Sequence, residues 1–357
     1  MRILHVVGTR PNLVKMAPVV AAMPETVEGL DQRVVHTGQH YDREMSQIFF
    51  DELGIREPDY SLGAGGGSHA QQTAKVLERI EPVLQEFEPD WVVVPGDVNS
   101  TLAAALAATK LGIPVAHVEA GLRSFDRDMP EEINRILTDQ ISDLLFIHSP
   151  EAATNLEREA AIGRVEFVGN TMIDTLVAMR PRIDSRHAAA GLGLTPGRYL
   201  LVTLHRPALV DGPLLAEAMA RLVDVAGTID VLFPVHPRTR KRLAEENIDT
   251  GGVKLIDPVG YIDFLSLQSE ARAVLTDSGG VQEETTHLGV PCFTLRDNTE
   301  RPVTIEQGTN TVLGLDPARI SRIPELVADA DRPAPGDGPA LWDGEASKRI
   351  AAVFSSW

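Results

Sequence analysis

Short apolar, β-branched runs alternate with longer segments of helical periodicity along the whole chain. RILHVV (2–7), RVVHT (33–37), WVVVP (91–95), PVAHV (114–118), LLFIH (144–148) and VEFVG (165–169) read as the strands of a first half. YLLVTL (199–204), VLFPV (231–235), KLID (254–257), AVLTD (273–277), CFTL (292–295) and TVLG (311–314) read as those of a second. Between them lie segments such as SHAQQTAKVLERIEPVLQEF, where Ala74, Leu77, Ile80 and Leu84 recur near helical spacing. Continuously apolar strands separated by helices predict parallel sheets covered on both faces. The pattern restarts after PRIDSRHAAAGLGLTPGR (181–198), a polar stretch that reads as a linker. The expected division is an N-terminal Rossmann-like domain over 1–180 and a C-terminal one over 199–340. A Pro- and Gly-rich loop, DRPAPGDGPALWDG (331–344), precedes a short terminal helix over 345–357.

Two doubly wound domains place a ligand outside the carboxyl ends of their strands. Polar residues collect at those ends. The first strand runs into GTRPNLVK, the third into GDVNST, the fourth into Glu119 and the sixth into GNT. In the second half strands run into His205-Arg206, His236-Pro237, Asp277-Ser278-Gly279-Gly280 and Arg296-Asp297-Asn298.

Composition narrows the function. The chain has 357 residues, 43% of them hydrophobic and 24% charged, as in globular proteins of two ordinary domains. Its net charge of −18 argues against nonspecific binding to nucleic acid or to an anionic membrane, since both reward surplus Lys and Arg. Cys292 is the single cysteine, so neither an intramolecular disulfide nor a cysteine zinc site is expected. The start, MRILHVVGTR, has no signal-peptide pattern, and no apolar tract reads as a membrane span, which predicts a cytoplasmic protein. His36, His40 and His69 have no metal spacing with nearby carboxylates, and no metal site is expected.

The clearest local element is DSGGVQEE (277–284), a strand end, a Ser-Gly-Gly turn and a helix start. Glycines let backbone approach a phosphate, and free N–H groups at a helix start favour an anion; an ordinary capping turn has the same spelling. Glu284, further into the helix, is placed to accept from ribose hydroxyls or to face solvent. GTRPNLVK supplies Gly8 for a turn and Arg10 and Lys15 as cations, with Pro11 suited to a first helical turn. It is not a P-loop, and no GxGxxG follows a strand, so neither an NTPase nor a nicotinamide enzyme is supported. His205 at a strand mouth is structural or binds a leaving phosphate. Asp97 in PGDVNS is a turn residue or an acid–base group.

In order along the chain stand GTRPNLVK, TGQH, GDVNST, HVEAGLRS, MPEEINR, GN, LHR, PVHPRT, LTDSGGVQEE and RDNTERPVT. Together they resemble the non-hydrolysing UDP-N-acetylglucosamine 2-epimerases, over about residues 3 to 314. The resemblance implies two Rossmann-like domains in the GT-B arrangement, an active site in the cleft between them, a homodimer, and a terminal helix returning to the first domain. It implies C2 epimerisation of UDP-GlcNAc to UDP-ManNAc, by elimination of UDP to a 2-acetamidoglucal and re-addition, with no cofactor. By similarity Asp97, Glu119 and Glu131 fall on the catalytic carboxylates and His205 on a histidine near the phosphates. Arg10, Ser278, Gly279, Gly280 and Glu284 match the UDP site, with Lys15, Arg135, His236, Phe264 and Arg301 around it. Phe264 is set to contact the uracil or to sit in the core.

The chain departs from the family pattern at Asn12, where Glu is frequent, at Pro207-Ala208-Leu209, and at YDREM, which continues TGQH with two residues more than many bacterial members. Some bacterial members need a second UDP-GlcNAc as activator, bound partly through that last region. A UDP-diacetamido-uronic acid 2-epimerase and a GT-B UDP-sugar glycosyltransferase are the alternatives. The acidic stretch AHVEAGLRSFDRDMPEEINR (116–135) divides accordingly. Glu119 and Glu131 are assigned to chemistry, and Arg135, four residues on, is expected to pair with Glu131 or with phosphate. Asp126 and Asp128 are expected to be solvated or capping, and Glu132 to lie on the helix surface.

Overall fold

The structure, a computed structural model, describes residues 1–38, 57–328 and 338–357, together with 54, 334 and 336. His40 and the YDREM departure lie outside the described residues. The chain divides into two compact units, Met1–Ala178 with Ala340–Trp357, and Met179–Pro339.

The first domain is built on β1 (Arg2–Val7), β2 (Asp31–His36), β3 (Tyr60–Ser61), β4 (Trp91–Pro95), β5 (Val115–Val118), β6 (Leu144–Ile147) and β7 (Arg164–Phe167). They form one parallel sheet in the order β3-β2-β1-β4-β5-β6-β7. The apolar runs become strands because they are buried on both faces: Ile3, Leu4, Val92, Val93 and Val94 have no exposed surface. β3 was not legible as a run, being a two-residue edge strand without an apolar core. Helices α1 (Arg10–Thr26), α2 (His69–Phe87), α3 (Asn99–Lys110), α4 (Pro130–Ile141) and α5 (Thr171–Asp184) follow strands. α2 starts with a Ser68–Gln71 capping box and turns Val76, Ile80, Leu84 and Phe87 inward.

The stretch read as a linker carries helix, since α5 continues to Asp184 and another turn covers Ala188–Gly191. The second domain contains β8 (Tyr199–Thr203), β9 (Asp230–Pro234), β10 (Val253–Ile256), β11 (Ala273–Thr276), β12 (Cys292–Thr294) and β13 (Asn310–Val312), again all parallel, in the order β10-β9-β8-β11-β12-β13. Its helices include α6 (Pro237–Glu245), α7 (Tyr261–Glu270) and α8 (Gly279–Leu288). In both sheets the strand order reverses beside the first strand, between β1 and β4 and between β8 and β11. Each reversal opens a crevice at the strands' carboxyl ends.

The last helix, α9 (Ala346–Ser355), belongs to the first unit. Asp174 accepts the N–H groups of Ala346 and Ser347 at 3.1 and 2.6 Å, satisfying two donors at the helix start. Phe354 is fully buried and meets Trp91 edge-on, with ring centroids 5.6 Å apart. Among the described residues no helix is long and apolar enough to cross a membrane.

Candidate functional site

In the first domain the switch point between β1 and β4 gathers the expected residues. β1 runs into Gly8-Thr9 and α1 starts at Arg10, which is half-buried. Asn12 accepts from the Gly8 N–H and the Thr9 hydroxyl, both at 3.2 Å, and donates to the Pro95 carbonyl at 3.3 Å. The departing residue therefore ties the turn after β1 to the end of β4. One turn on, Lys15 forms an ion pair with Glu119, each side chain 8% exposed. Gly96 takes a left-handed φ of 65°, and a Cβ there would stand 3.1 Å from Lys15 Nζ and 3.4 Å from Glu119 Oε2. The turn after β4 thus packs directly against the ion pair.

Glu119 follows β5 with φ 70°, a left-handed conformation that costs a non-glycine residue about 1–3 kcal/mol. Its N–H and that of Ala120 share the Phe146 carbonyl, at 3.1 and 3.0 Å. A narrow cavity beside it is lined by Lys15, Glu119, His148, Asn170 and Thr171. Asn170 caps α5 by accepting the Met172 N–H at 2.9 Å.

α4 corrects two expectations. Residues 132, 135 and 139 recur at helical spacing on one face, which is buried; Glu131, about 100° away, is half-buried. Glu132 is therefore not on the helix surface. It is 1% exposed, accepts the Ser124 and Phe125 N–H groups at 3.0 and 2.8 Å, and pairs with Arg135 at 2.6 Å. Arg135 does not pair with Glu131: its other nitrogen reaches Asp97 Oδ2 at 2.6 Å. Asn134 donates to the Asp97 carbonyl at 2.9 Å, so α4 holds Asp97 by side chain and by backbone. Asp126 accepts the Asp128 N–H at 3.0 Å, a turn contact, and Asp128 is exposed.

In the second domain Asp277 organises the mouth of β8. Its Oδ2 accepts the N–H groups of His205 and Arg206, both at 2.8 Å, and Oδ1 stands 2.8 Å from His205 Nδ1. Burial alone would raise the Asp277 carboxyl, but His205 and these N–H groups outweigh it and hold it below its ordinary value. With Nδ1 engaged, His205 presents Nε2 outward, its side chain 54% exposed.

Ser278 precedes α8 without a side-chain capping bond, and Gly279 and Gly280 are half-buried in its first turn. A Cβ on Gly279 would meet Arg301 Nη1 at 2.5 Å, so the close approach of that guanidinium requires glycine. Arg301 is buried and held by Glu283 at 2.6 Å and Glu300 at 3.3 Å. Glu284 does not face solvent. It is 4% exposed and accepts from the Tyr261 hydroxyl at 3.1 Å, and burial pushes its carboxyl up to about 8. Phe264 is half-buried on α7. His236 is exposed and caps α6, its Nδ1 accepting the Arg238 N–H at 3.2 Å.

The structure thus joins Lys15 to Glu119, Asp97 to Arg135, and Gly279 to Arg301. It adds His117 and His148, which were not singled out, and gives Asn12, Glu132 and Asp277 holding contacts that their sequence context had not assigned. A histidine inside the apolar run PVAHV was a signal, because a ring in a doubly covered strand needs buried partners. A ring nitrogen of His148 lies within 4.8 Å of a Glu119 carboxylate oxygen, and nothing in LLFIH pointed to that contact.

Comparison with known proteins bears on this arrangement. The family profile described as UDP-N-acetylglucosamine 2-epimerase matches residues 24–355. The chain is 44% identical over 345 residues to the UDP-N-acetylglucosamine 2-epimerase of Methanocaldococcus jannaschii, covering 93% of each chain. It is 43% identical over 365 residues to the UDP-2,3-diacetamido-2,3-dideoxy-D-glucuronate 2-epimerase of Pseudomonas aeruginosa, covering 99% of each. Its fold matches the crystal structure of the Methanocaldococcus jannaschii UDP-GlcNAc 2-epimerase in complex with UDP-GlcNAc and UDP, with a TM-score of 0.88, 40% identity and full coverage of both chains.

Proposed function

The chain belongs to the UDP-N-acetylglucosamine 2-epimerase family, and from that premise we propose that it interconverts UDP-GlcNAc and UDP-ManNAc by eliminating UDP and adding it back. C2 of the sugar carries an acetamide and has no adjacent carbonyl, so its proton is too weakly acidic for direct removal. Breaking the C1–O bond changes that. UDP leaves with the bonding pair, a carboxylate takes the C2 proton, and a C1=C2 double bond forms. When a UDP oxygen adds back at C1 and a proton reaches the opposite face of C2, the epimer results.

The observation that carries the reading is the pair of carboxylates at the ends of neighbouring strands, Asp97 after β4 and Glu119 after β5. Glu119, fixed by its ion pair with Lys15, is the carboxylate proposed to take the C2 proton. Glu131, half-buried, is the second acid–base group, and Arg135 serves to hold Asp97. In the second domain Gly279 and Gly280 offer the N–H groups of a helix start to the diphosphate, and Ser278, whose own N–H donates to the Thr276 hydroxyl at 3.0 Å, offers its side-chain hydroxyl. His205, oriented by Asp277, faces the departing phosphate with Arg10 and Arg301 as further cations. Glu284 takes the ribose hydroxyls, while Phe264 and His236 border the nucleotide.

The Pseudomonas aeruginosa relative favours a second reading of the sugar alone, a UDP-linked diacetamido uronic acid. Incubating the protein with each sugar nucleotide in D2O and following C2 by NMR tests both. Deuterium at C2 of an epimerised UDP-sugar is the expected result, and the faster substrate identifies the sugar. No exchange at C2 with either compound would overturn the proposal.

A further inference from the structure

Behind Asp97 and Glu119 lie two ionisable side chains with no exposed surface, His117 on β5 and Asp139 on α4. His117 Nε2 donates to the Gly96 carbonyl at 2.7 Å, and Nδ1 faces Asp139 Oδ1 at 2.7 Å. Each ring nitrogen thus faces one oxygen, the Gly96 carbonyl on one side and the Asp139 carboxylate on the other. The other Asp139 oxygen accepts the Gly121 N–H at 3.1 Å and stands 2.8 Å from Arg123 Nη2. Arg123 is anchored in turn to Glu159 at 2.6 Å. Burial would raise the Asp139 carboxyl, but His117 and Arg123 outweigh it and hold it below its ordinary value.

Gly96 directly precedes Asp97, and Gly121 lies two residues beyond Glu119. Both turns need left-handed backbone, with φ 65° at Gly96, 70° at Glu119 and 78° at Gly121. Such conformations persist only where the surroundings hold them. The pair's contacts are with the backbone of the turns that carry the carboxylates, at Gly96 and Gly121. We infer that His117 and Asp139 form a strut that clamps the Gly96 carbonyl and the Gly121 N–H and so fixes Asp97 and Glu119 relative to each other, positioning both for the reaction proposed above, on which this role rests. A catalytic base and its partner acid act across one carbon, and a displacement of about 1 Å costs on the order of 10²-fold in rate. Residues that merely filled the core would affect stability and leave the turnover of the folded enzyme unchanged.

The test uses full-length His117→Gln and Asp139→Asn beside the wild type, each assayed at the same interval below its own melting temperature. Asp139→Asn keeps the shape but removes the charge and puts an N–H donor in place of one acceptor, facing either His117 or Gly121 and Arg123, so it weakens one arm of the clamp even if His117→Gln fails to fold. The strut predicts a kcat lower by about 10- to 100-fold with KM within about three-fold. It also predicts faster amide hydrogen exchange in the peptides spanning 96–99 and 119–124 together, with β1 still protected. Any other pattern overturns it, including a kcat within about three-fold of wild type, a matching rise in KM, or loosening of one turn alone. If the wild type turns over neither sugar nucleotide, the functional reading fails, while the exchange data still decide the strut.

Discussion

Lys15 and Glu119, separated by 104 residues of sequence, meet in a buried ion pair at the carboxyl edge of the first sheet. Removing one partner leaves the other charge buried, at a cost of about 3–5 kcal/mol. Glu119→Gln and Lys15→Met should each destabilise the protein by that order in denaturant titrations, and the double variant by less than the sum of the two. Every variant lacking Glu119 should lose deuterium exchange at C2 while still binding UDP in calorimetry. A Glu119→Gln protein with near-normal turnover would remove this residue from the chemistry.

The neighbours Glu131 and Glu132 should part company on mutation. Glu131→Gln changes a half-buried side chain and should keep stability within about 0.5 kcal/mol while lowering kcat. Glu132→Gln deprives Arg135 of a buried charge and disturbs the Ser124 and Phe125 N–H groups, so it should cost about 3–5 kcal/mol. Paired denaturation and rate measurements check both. Equal effects on stability would contradict the assignment.

Asp277→Asn should lower kcat/KM by about 10²- to 10⁴-fold by releasing the orientation of His205, the upper figure being that of the carboxylate–histidine pair in a Ser-His-Asp triad. The stability profile gives a second readout. Because the folded carboxyl lies below its ordinary value, its stabilisation is present above about pH 3.9 and is lost as pH falls through the folded value. The variant should lack that acid-side slope in unfolding experiments run across this range.

Glu284 behaves in the opposite sense. Its folded carboxyl is raised from 4.5 to about 8, so its contribution is fully present below 4.5 and lost as pH rises through about 8. Glu284→Gln should flatten that alkaline loss. Ribose hydroxyls donating to the carboxylate would favour its ionised form, so UDP binding at about pH 7 should release close to one proton. Calorimetry in buffers of different ionisation enthalpy measures this, and the release should vanish in Glu284→Gln.

The order of elements was legible in the sequence because a strand covered on both faces must be apolar throughout, and RILHVV, WVVVP and AVLTD announce that directly. So was the placement of polar residues after strands, since a parallel sheet puts all its carboxyl ends on one edge. The helix in the stretch read as a linker was not legible, because polar composition with scattered Gly and Pro does not forbid helix, and α5 runs into it.

Local pattern was enough for the repeated α/β order, the strand ends where Asp97, Glu119 and the DSGG turn sit, and the family those motifs resemble. The tertiary structure alone decided which of two adjacent glutamates on α4 faces inward, because that depends on the rotation of the helix against the sheet. It alone brought His117 to Asp139, 22 residues away, and Lys15 to Glu119, because partners for buried charges are supplied by packing across elements and leave no local spacing to read.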